Sequence, residues 1–372
     1  MSSSTTRTRV AVIYGGRSSE HNVSCVSAGA IMAHLDAEAF EVIPVGITAA
    51  GRWVTGEKDP EKLRTVDRVL PSVDDSAPEI YLSVNPERRG ELRFVEDGSL
   101  YAQVDVAFPV LHGPFGEDGT IQGFFELSGL PYVGPGVLAS ACGMDKEYTK
   151  KIMREAGIPV TRDIVVCGRT ELTAEEREYL GLPVFVKPAR GGSSIGVSKV
   201  EAWDELSEAI TQAALQDPKV LVEAELIGDE VEVGVLEFPD GRILSSVPAK
   251  LNGTNSSEEG FYGFETKYLD DVVSASIPAP YDEETTTRLR QLAETAFTAM
   301  NARGLARVDF FLTAEGPILN EVNTMPGFTP ISMYPQVFGA TGIDYAELLS
   351  ILIRQAAEPK NEEHVEDTTL RG

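Results

Sequence analysis

The densest group of chemistry-bearing residues lies in residues 305–325, LARVDFFLTAEGPILNEVNTM. Two strand-like runs flank a turn at residues 313–317, centred on Glu315, which predicts an antiparallel hairpin. Folding there sets Asp309 opposite Glu321 and Arg307 opposite Asn323. Side chains alternate along a strand, so these four polar groups share one face. Val308, Phe310 and Val322 take the other face together with Asn320, which fits that apolar set poorly. Two carboxylates and a carboxamide beside an arginine offer all-oxygen ligation for Mg²⁺, an ion that keeps several waters and binds through one or two carboxylates plus phosphates. The competing reading is a solvated, salt-bridged sheet face. Acids on such a face normally interleave with Lys or Thr, whereas here Glu-x-Asn lies opposite Arg-x-Asp.

A second group is KPARGGSSIG, residues 187–196. A strand over 183–186 delivers Lys187 to a glycine loop whose backbone N–H groups and hydroxyls can cradle a polyphosphate. The dipeptide Gly-Lys occurs nowhere, so a Walker loop is absent. Lys146, at a helix start near Asp145, can supply a second ammonium; the bland alternative is a flexible turn with an incidental lysine. The third group is GGRSSE, residues 15–20, where a strand ends and a helix begins. Glu20 either complements the helix dipole or stands at the C-terminal edge of a parallel sheet, placed for a substrate ammonium; spacing leaves both open. Gly134-x-Gly136-x-x-Ala139 mimics a dinucleotide fingerprint, but Ala replaces the third Gly and the match falls mid-chain, so it reads as a plain strand-to-helix turn.

An α/β chain must position these groups. Apolar β-branched runs predict strands over 9–14, 42–47, 104–110, 183–186 and 220–223. Val23, Val26, Ala30, Ile31 and Leu35 recur at helical spacing, as do Leu289, Leu292, Ala296, Phe297 and Met300. A helix over 144–156 stops at Gly157 with Pro159 beyond it, and Asp240-Gly241 signals a hairpin. Residues 55–100 are rich in Pro, Asp and Glu, with strand-like pieces in no evident order, and PYVGP at 131–135 reads as a crossing between domains. Residues 252–266 form a polar, glycine-containing stretch as long as a functional lid or a disordered loop. Both ends of the chain read as frayed polar segments.

Composition narrows the partners. The 372 residues at roughly 150 per domain predict two or three domains. With 32 Lys and Arg against 58 Asp and Glu, the formal net charge is −26, which repels nucleic-acid backbones and anionic membranes. Cys25, Cys142 and Cys167 make an odd set without CxxC spacing, and the histidines lack HExxH spacing. No secretory signal and no apolar run of about 18 residues is visible, so a cytoplasmic protein with reduced thiols is expected.

Taken in order, GGRSSEHNVS (15–24), LHGPFGEDG (111–119), MDK (144–146), VKPARGGSSIG (186–196), FYGFETKY (261–268), RVDFF (307–311) and NEVNTMPGFTPISM (320–333) resemble the D-alanine–D-alanine ligases of the ATP-grasp superfamily. The resemblance runs from Arg9 to about Ala357. Asn22, where the family more often has an acid, and Ala224-Glu225, where a basic or aromatic residue is common, are its departures. It implies an α/β ATP-grasp fold: an N-terminal Rossmann-like domain over 1–133, a central α+β domain over 134–223, and a C-terminal α+β domain over 224–358. The last would carry a lid at 252–268, followed by a polar tail at 359–372.

The resemblance further implies that ATP sits between the latter two domains and that two D-alanine molecules are joined through an acyl phosphate for peptidoglycan synthesis. Lys146, Lys187 and Lys267 would hold phosphates; Glu223 and the Leu226 backbone would read adenine, and Glu230 the ribose. Ser193, Ser194 and Asn320 would complete the nucleotide contacts. Asp309, Glu321 and Asn323 would ligate two Mg²⁺ ions, for which Mn²⁺ can substitute. Glu20 would take the first ammonium, and Arg307 with the Gly327 N–H would polarise the reacting carboxyl. Ser332 would grip the second carboxylate, and Tyr268 would hydrogen-bond toward Ser193 and Glu20. A homodimer is the family habit. A depsipeptide ligase using D-lactate, or another ATP-grasp carboxylate–amine ligase, is the alternative; the Lys267-Tyr268 pair favours the dipeptide.

Overall fold

Val10, Ala11, Val12, Ile13 and Tyr14 are all buried, so the first strand has no solvent face. A strand covered on both sides belongs inside a parallel sheet. In the computed structural model, which describes residues 7–192, 195–253, 274–329 and 331–358, β1 (Thr8–Gly15) pairs in parallel with β2 (Phe40–Ile47) and β7 (Val106–Val110). Antiparallel β3 (Trp53–Thr55) closes one edge, giving the order β3-β2-β1-β7. Helix α1 (His21–His34) packs on this sheet through Cys25, Ala28 and Ile31, and α2 (Thr120–Ser128) through Ile121 and Phe125.

The stretch from 55 to 100, which had no evident order, holds β4 (Ile80–Leu82) and β5 (Glu91–Phe94), which form a small antiparallel sheet with β6 (Leu100–Gln103) at its end. These strands are three or four residues long, too short for alternation to stand out among the polar turns.

A third sheet is antiparallel, in the order β10-β9-β11-β8: β8 (Asp163–Cys167), β9 (Val184–Pro188), β10 (Ser198–Val200) and β11 (Lys219–Ala224). Helices α5 (Ala174–Leu180) and α6 (Leu206–Ala214) cover its apolar side. The fourth sheet runs β15-β14-β12-β16-β17, with β13 (Ile243–Ser245) also on β12 (Asp229–Glu237). Its remaining members are β14 (Ala249–Asn252), β15 (Ser274–Ser276), β16 (Leu305–Thr313) and β17 (Gly316–Asn323). The expected apolar stripe is buried on α7 (Glu283–Ala299) against this sheet.

The helix expected over 144–156 forms from Lys146 to Glu155, directly after a shorter helix that ends at Met144. Asp145 adopts extended backbone (φ −97, ψ 104) and its carboxylate accepts the Glu147 and Tyr148 N–H groups, so α3 (Val137–Met144) ends and α4 (Lys146–Glu155) is capped there. Met153 packs toward α7 and β17, while Lys150 faces β11, so α4 bridges the third and fourth sheets.

Helices α8 (Met333–Thr341) and α9 (Tyr345–Ala357) return to the first sheet. One hydrophobic cluster joins Val12, Tyr14 and Phe108 to Phe328, Tyr334, Phe338 and Leu348, with Phe108 and Phe328 edge to face at 5.9 Å. That contact brings the Gly15 end of β1 beside the loop after β17.

Candidate active site

The β16–β17 hairpin carries the first group. Its turn is two residues, with Thr313 paired to Gly316, a register that would set Asp309 opposite Asn320 if it continued unbroken. A bulge between Asp309 and Phe310 takes up Asn320 as an extra residue, and beyond it Asp309 pairs with Glu321 and Arg307 with Asn323. The expected pairing of charged groups therefore stands, but the placing of Asn320 on the apolar face does not. The bulge removes Asn320 from the alternation and puts it in the cavity wall next to Glu321.

Arg307 donates to both Asp309 oxygens at 2.8 and 2.7 Å, and its Nε lies 3.0 Å from the Glu232 carboxylate. Burial works against its charge, but the fields of Asp309, Glu232 and Glu321 prevail and hold its pKa well above the ordinary arginine value. The Asn323 amide nitrogen donates to Asp309 at 2.9 Å, so its carbonyl oxygen is the end left for a cation.

The second group surrounds Lys187 at the end of β9. Glu223 on β11 is buried, and its two oxygens lie 2.8 Å from Lys150 and 2.5 Å from Lys187. Burial raises the Glu223 pKa, yet the fields of the two lysines prevail and bring it to about 2. Lys146 donates to the Gly191 carbonyl at 2.7 Å, and the Arg190–Asp217 pair, at 2.7 Å, anchors the same loop. Lys146, Lys187, Glu223, Leu226, Glu230, Asp309 and Asn320 line a cavity of about 290 Å³ between the third and fourth sheets, with apolar walls from Phe185, Val231 and Phe310.

A second cavity of about 180 Å³ adjoins it and holds Glu20, Asn323, Gly327 and Ser332. The two share Lys146, Gly191, Gly192, Glu232, Leu251, Arg307 and Glu321. Glu20 is the N-cap residue of α1 rather than a member of its first turn, and its side chain makes no capping hydrogen bond. It stands at the N-terminus of α1 and also lines the second cavity, so both readings of Glu20 fit this position. His21 holds the preceding turn, with Nδ1 2.7 Å from the Gly16 carbonyl and Nε2 accepting the Val73 N–H at 3.2 Å. Gly15 has φ +93 and no room for a Cβ, which would meet the Ile47 carbonyl at 2.3 Å.

On the far side, Ser332 accepts the Thr329 N–H at 3.0 Å, and a Cβ on Gly327 would come within 2.8 Å of its Oγ. No side chain but hydrogen fits at 327 without moving Ser332.

Sequence reasoning missed three groups lining the second cavity: His112 and Glu232, which are buried, and the partly buried Glu117. Glu117 accepts the Gly113 N–H at 2.6 Å. Burial first, then the field of Glu20, push its pKa up to about 8, so it is mostly protonated at neutral pH. His112 lines the same cavity, and burial lowers its pKa against the field of Glu20. Both belong to the LHGPFGEDG segment, whose fixed loop gave no hint of which members turn inward. Glu232 was legible: in the run Asp229–Glu237 it shares a face with Glu230 by simple alternation. Ser193, Ser194, Lys267, Tyr268 and most of the expected lid lie outside the described residues.

The donor set at 309, 321 and 323 is oxygen throughout, which suits a hard divalent cation. Among the described residues no three His, Cys, Asp or Glu side chains are grouped to hold a metal by themselves. A cation here would draw on Asn323 and on nucleotide phosphates, the usual arrangement for Mg²⁺. No helix among the described residues is long and apolar enough to cross a membrane.

Comparison with known proteins places this architecture. A family model described as the D-ala D-ala ligase N-terminus matches residues 9–135, and one described as the D-ala D-ala ligase C-terminus matches 152–354. A D-alanine–D-alanine ligase of Corynebacterium diphtheriae is 66% identical over 355 residues, covering 95% of this chain and 97% of that protein. The crystal structure of the VanG D-Ala:D-Ser ligase from Enterococcus faecalis aligns with a TM-score of 0.83 at 35% identity, covering 94% of this chain and 100% of that one. The D-alanine–D-alanine ligase from Coxiella burnetii aligns with a TM-score of 0.80 at 31% identity over 94% of each chain. With both halves matched in order and the three-domain ATP-grasp architecture in place, this chain belongs to the D-alanine–D-alanine ligase family, enzymes that use ATP and a divalent metal.

Proposed function

We propose that this enzyme joins two D-alanine molecules into D-alanyl-D-alanine, converting ATP to ADP and phosphate, and so supplies peptidoglycan precursor synthesis. One observation carries the reading: a nucleotide-sized cavity and a smaller polar one share the wall that holds Arg307, Glu321 and Lys146. A phosphoryl group presented from one side and a carboxylate from the other would meet at that wall.

A carboxylate is a poor acyl donor, so the first D-alanine attacks the γ-phosphorus with a carboxylate oxygen, displacing ADP and forming an acyl phosphate. The amine of the second D-alanine then attacks the acyl carbon, and phosphate leaves from a tetrahedral intermediate. Glu20 holds the first ammonium, Ser332 grips the second carboxylate, and Arg307 with the Gly327 N–H stabilises the oxyanion. Lys146, Lys187 and Lys267 position the phosphates, Glu223 and the Leu226 backbone read adenine, and Glu230 takes the ribose. Ser193, Ser194, Asn320 and Tyr268 complete these contacts. Asp309, Glu321 and Asn323 would hold two Mg²⁺ ions, replaceable by Mn²⁺, which would neutralise charge on the transferring phosphoryl group. We further propose domain limits near residues 133 and 223, a homodimer, and a cytoplasmic location.

The test is turnover of the purified chain with ATP and Mg²⁺ against D-alanine alone and with equal D-lactate, D-serine or L-alanine, the products identified by mass. D-alanyl-D-alanine as main product is expected in every mixture. A depsipeptide or a D-alanyl-D-serine main product would overturn the reading.

A further inference from the structure

Three adjacent strands of the fourth sheet place three carboxylates in one row. Glu232 on β12 pairs with Asp309 on β16, which pairs with Glu321 on β17. Like charges directly opposite across strands repel, so such a row needs cations among its members. Arg307 is one of them, and it is divided between two partners: Asp309 at 2.8 and 2.7 Å and Glu232 at 3.0 Å.

The two ends of the row have different uses. Glu321 and Asp309 belong to the proposed metal set. Glu232 stands two strand spacings from Glu321, roughly 10 Å across the sheet, and its carboxylate is engaged by Arg307 at 3.0 Å. Glu232 is also buried and lines both cavities, a costly position for a carboxylate without a task. Arg307 with Asp309 alone would form a closed bidentate pair, neutral overall, with the carboxylate engaged through both oxygens. Adding Glu232 gives the guanidinium a second counter-ion. The three carboxylates and one guanidinium then carry a formal charge of −2, an excess that favours divalent cations beside them.

We propose that Glu232 is a positioning residue: it draws on Arg307 so that Asp309 can turn to a divalent cation while the guanidinium stays fixed at the wall between the cavities. This rests on Asp309, Glu321 and Asn323 holding the metal, and the test separates the two.

Mn²⁺ binding to the full chain with a non-hydrolysable ATP analogue can be followed by the EPR signal of free Mn²⁺. E232Q, which keeps shape and loses charge, is expected to weaken Mn²⁺ about tenfold, with Tm within a few degrees of the parent and recovery of most of the affinity in E232D. In an R307M background the loss caused by E232Q should shrink below about threefold, because the effect passes through the guanidinium. Parent-like Mn²⁺ affinity in E232Q overturns the proposal. An undiminished tenfold loss in the R307M background also overturns it, leaving Glu232 a plain source of field. Loss of Mn²⁺ binding in D309N together with parent-like E232Q refutes only the role of Glu232; full binding in D309N refutes the metal set itself.

Discussion

Two charge clusters face the same cavity with opposite excess. On the third sheet one carboxylate, Glu223, serves two ammonium groups, Lys150 and Lys187. On the fourth, one guanidinium, Arg307, serves Asp309 and Glu232, with Glu321 beside it. Neither cluster is neutral by itself. The excess ammonium lies where a polyphosphate would run, and the excess carboxylate lies where a divalent cation would sit. Buried ion clusters of this kind contribute little to net stability compared with apolar packing, so their sign is explained better by ligand than by fold. The chain as a whole is strongly acidic at −26, yet each end of the cavity sets its own local field.

The largest expected effect breaks the acidic cluster. E321Q removes a proposed metal ligand without changing shape, and kcat should fall by at least about 10³-fold while the far-UV spectrum and Tm stay near the parent; a loss under about tenfold would mean that the carboxylate excess serves no cation.

Next, E223Q tests the basic cluster through stability. The fold brings Glu223 from its ordinary 4.5 to about 2, so between those values the native state binds fewer protons than the unfolded chain. Its contribution is complete above about pH 4.5 and disappears as pH falls through 2. Urea unfolding of E223Q should show a loss on the order of 3 kcal/mol at pH 7 that vanishes toward pH 2. A flat difference across that range would mean that Glu223 is not charged in the fold.

Glu117 should behave in the opposite sense. Its pKa rises from 4.5 to about 8, so the native state binds more protons than the unfolded chain in that window, and its carboxyl weakens the fold progressively as pH rises through it. E117Q cannot ionise, so unfolding should find it level with the parent below pH 4.5 and more stable by about 4 kcal/mol at pH 8.

The smallest effect supplies the contrast between buried and exposed ions. Lys199 and Glu225, 2.9 Å apart and partly exposed at the cavity rim, should contribute under about 1 kcal/mol by double-mutant cycle. A value as large as that at Glu223 would remove the distinction between the clusters.

These residues also mark how far the sequence could be read. Strong periodicity made β1, α7 and the β16–β17 hairpin legible, since a buried strand and a one-sided helix leave different apolar spacings. The pairing of Asp309 with Glu321 was legible too, although it depends on a bulge that alternation cannot reveal; misplacing Asn320 was the consequence. The helix start near Asp145 was legible too, and the carboxylate that caps it accounts for the start. Lys150 and Glu117 acquire their surroundings only from distant elements, Glu223 in one case and Glu20 in the other, so no local pattern announces them. Short strands between polar turns kept residues 80–103 unreadable for a different reason, the lack of length over which a period could show.

The central claim is that a carboxylate from the smaller cavity meets a phosphoryl group from the larger one at the Arg307–Glu321 wall. Turnover with D-alanine labelled by ¹⁸O in both carboxylate oxygens, with mass analysis of the released phosphate, tests it most directly. One ¹⁸O should appear in each phosphate released with a dipeptide, because the attacking carboxylate oxygen stays on phosphorus when the acyl phosphate is cleaved. Phosphate free of ¹⁸O alongside normal dipeptide formation would contradict the account.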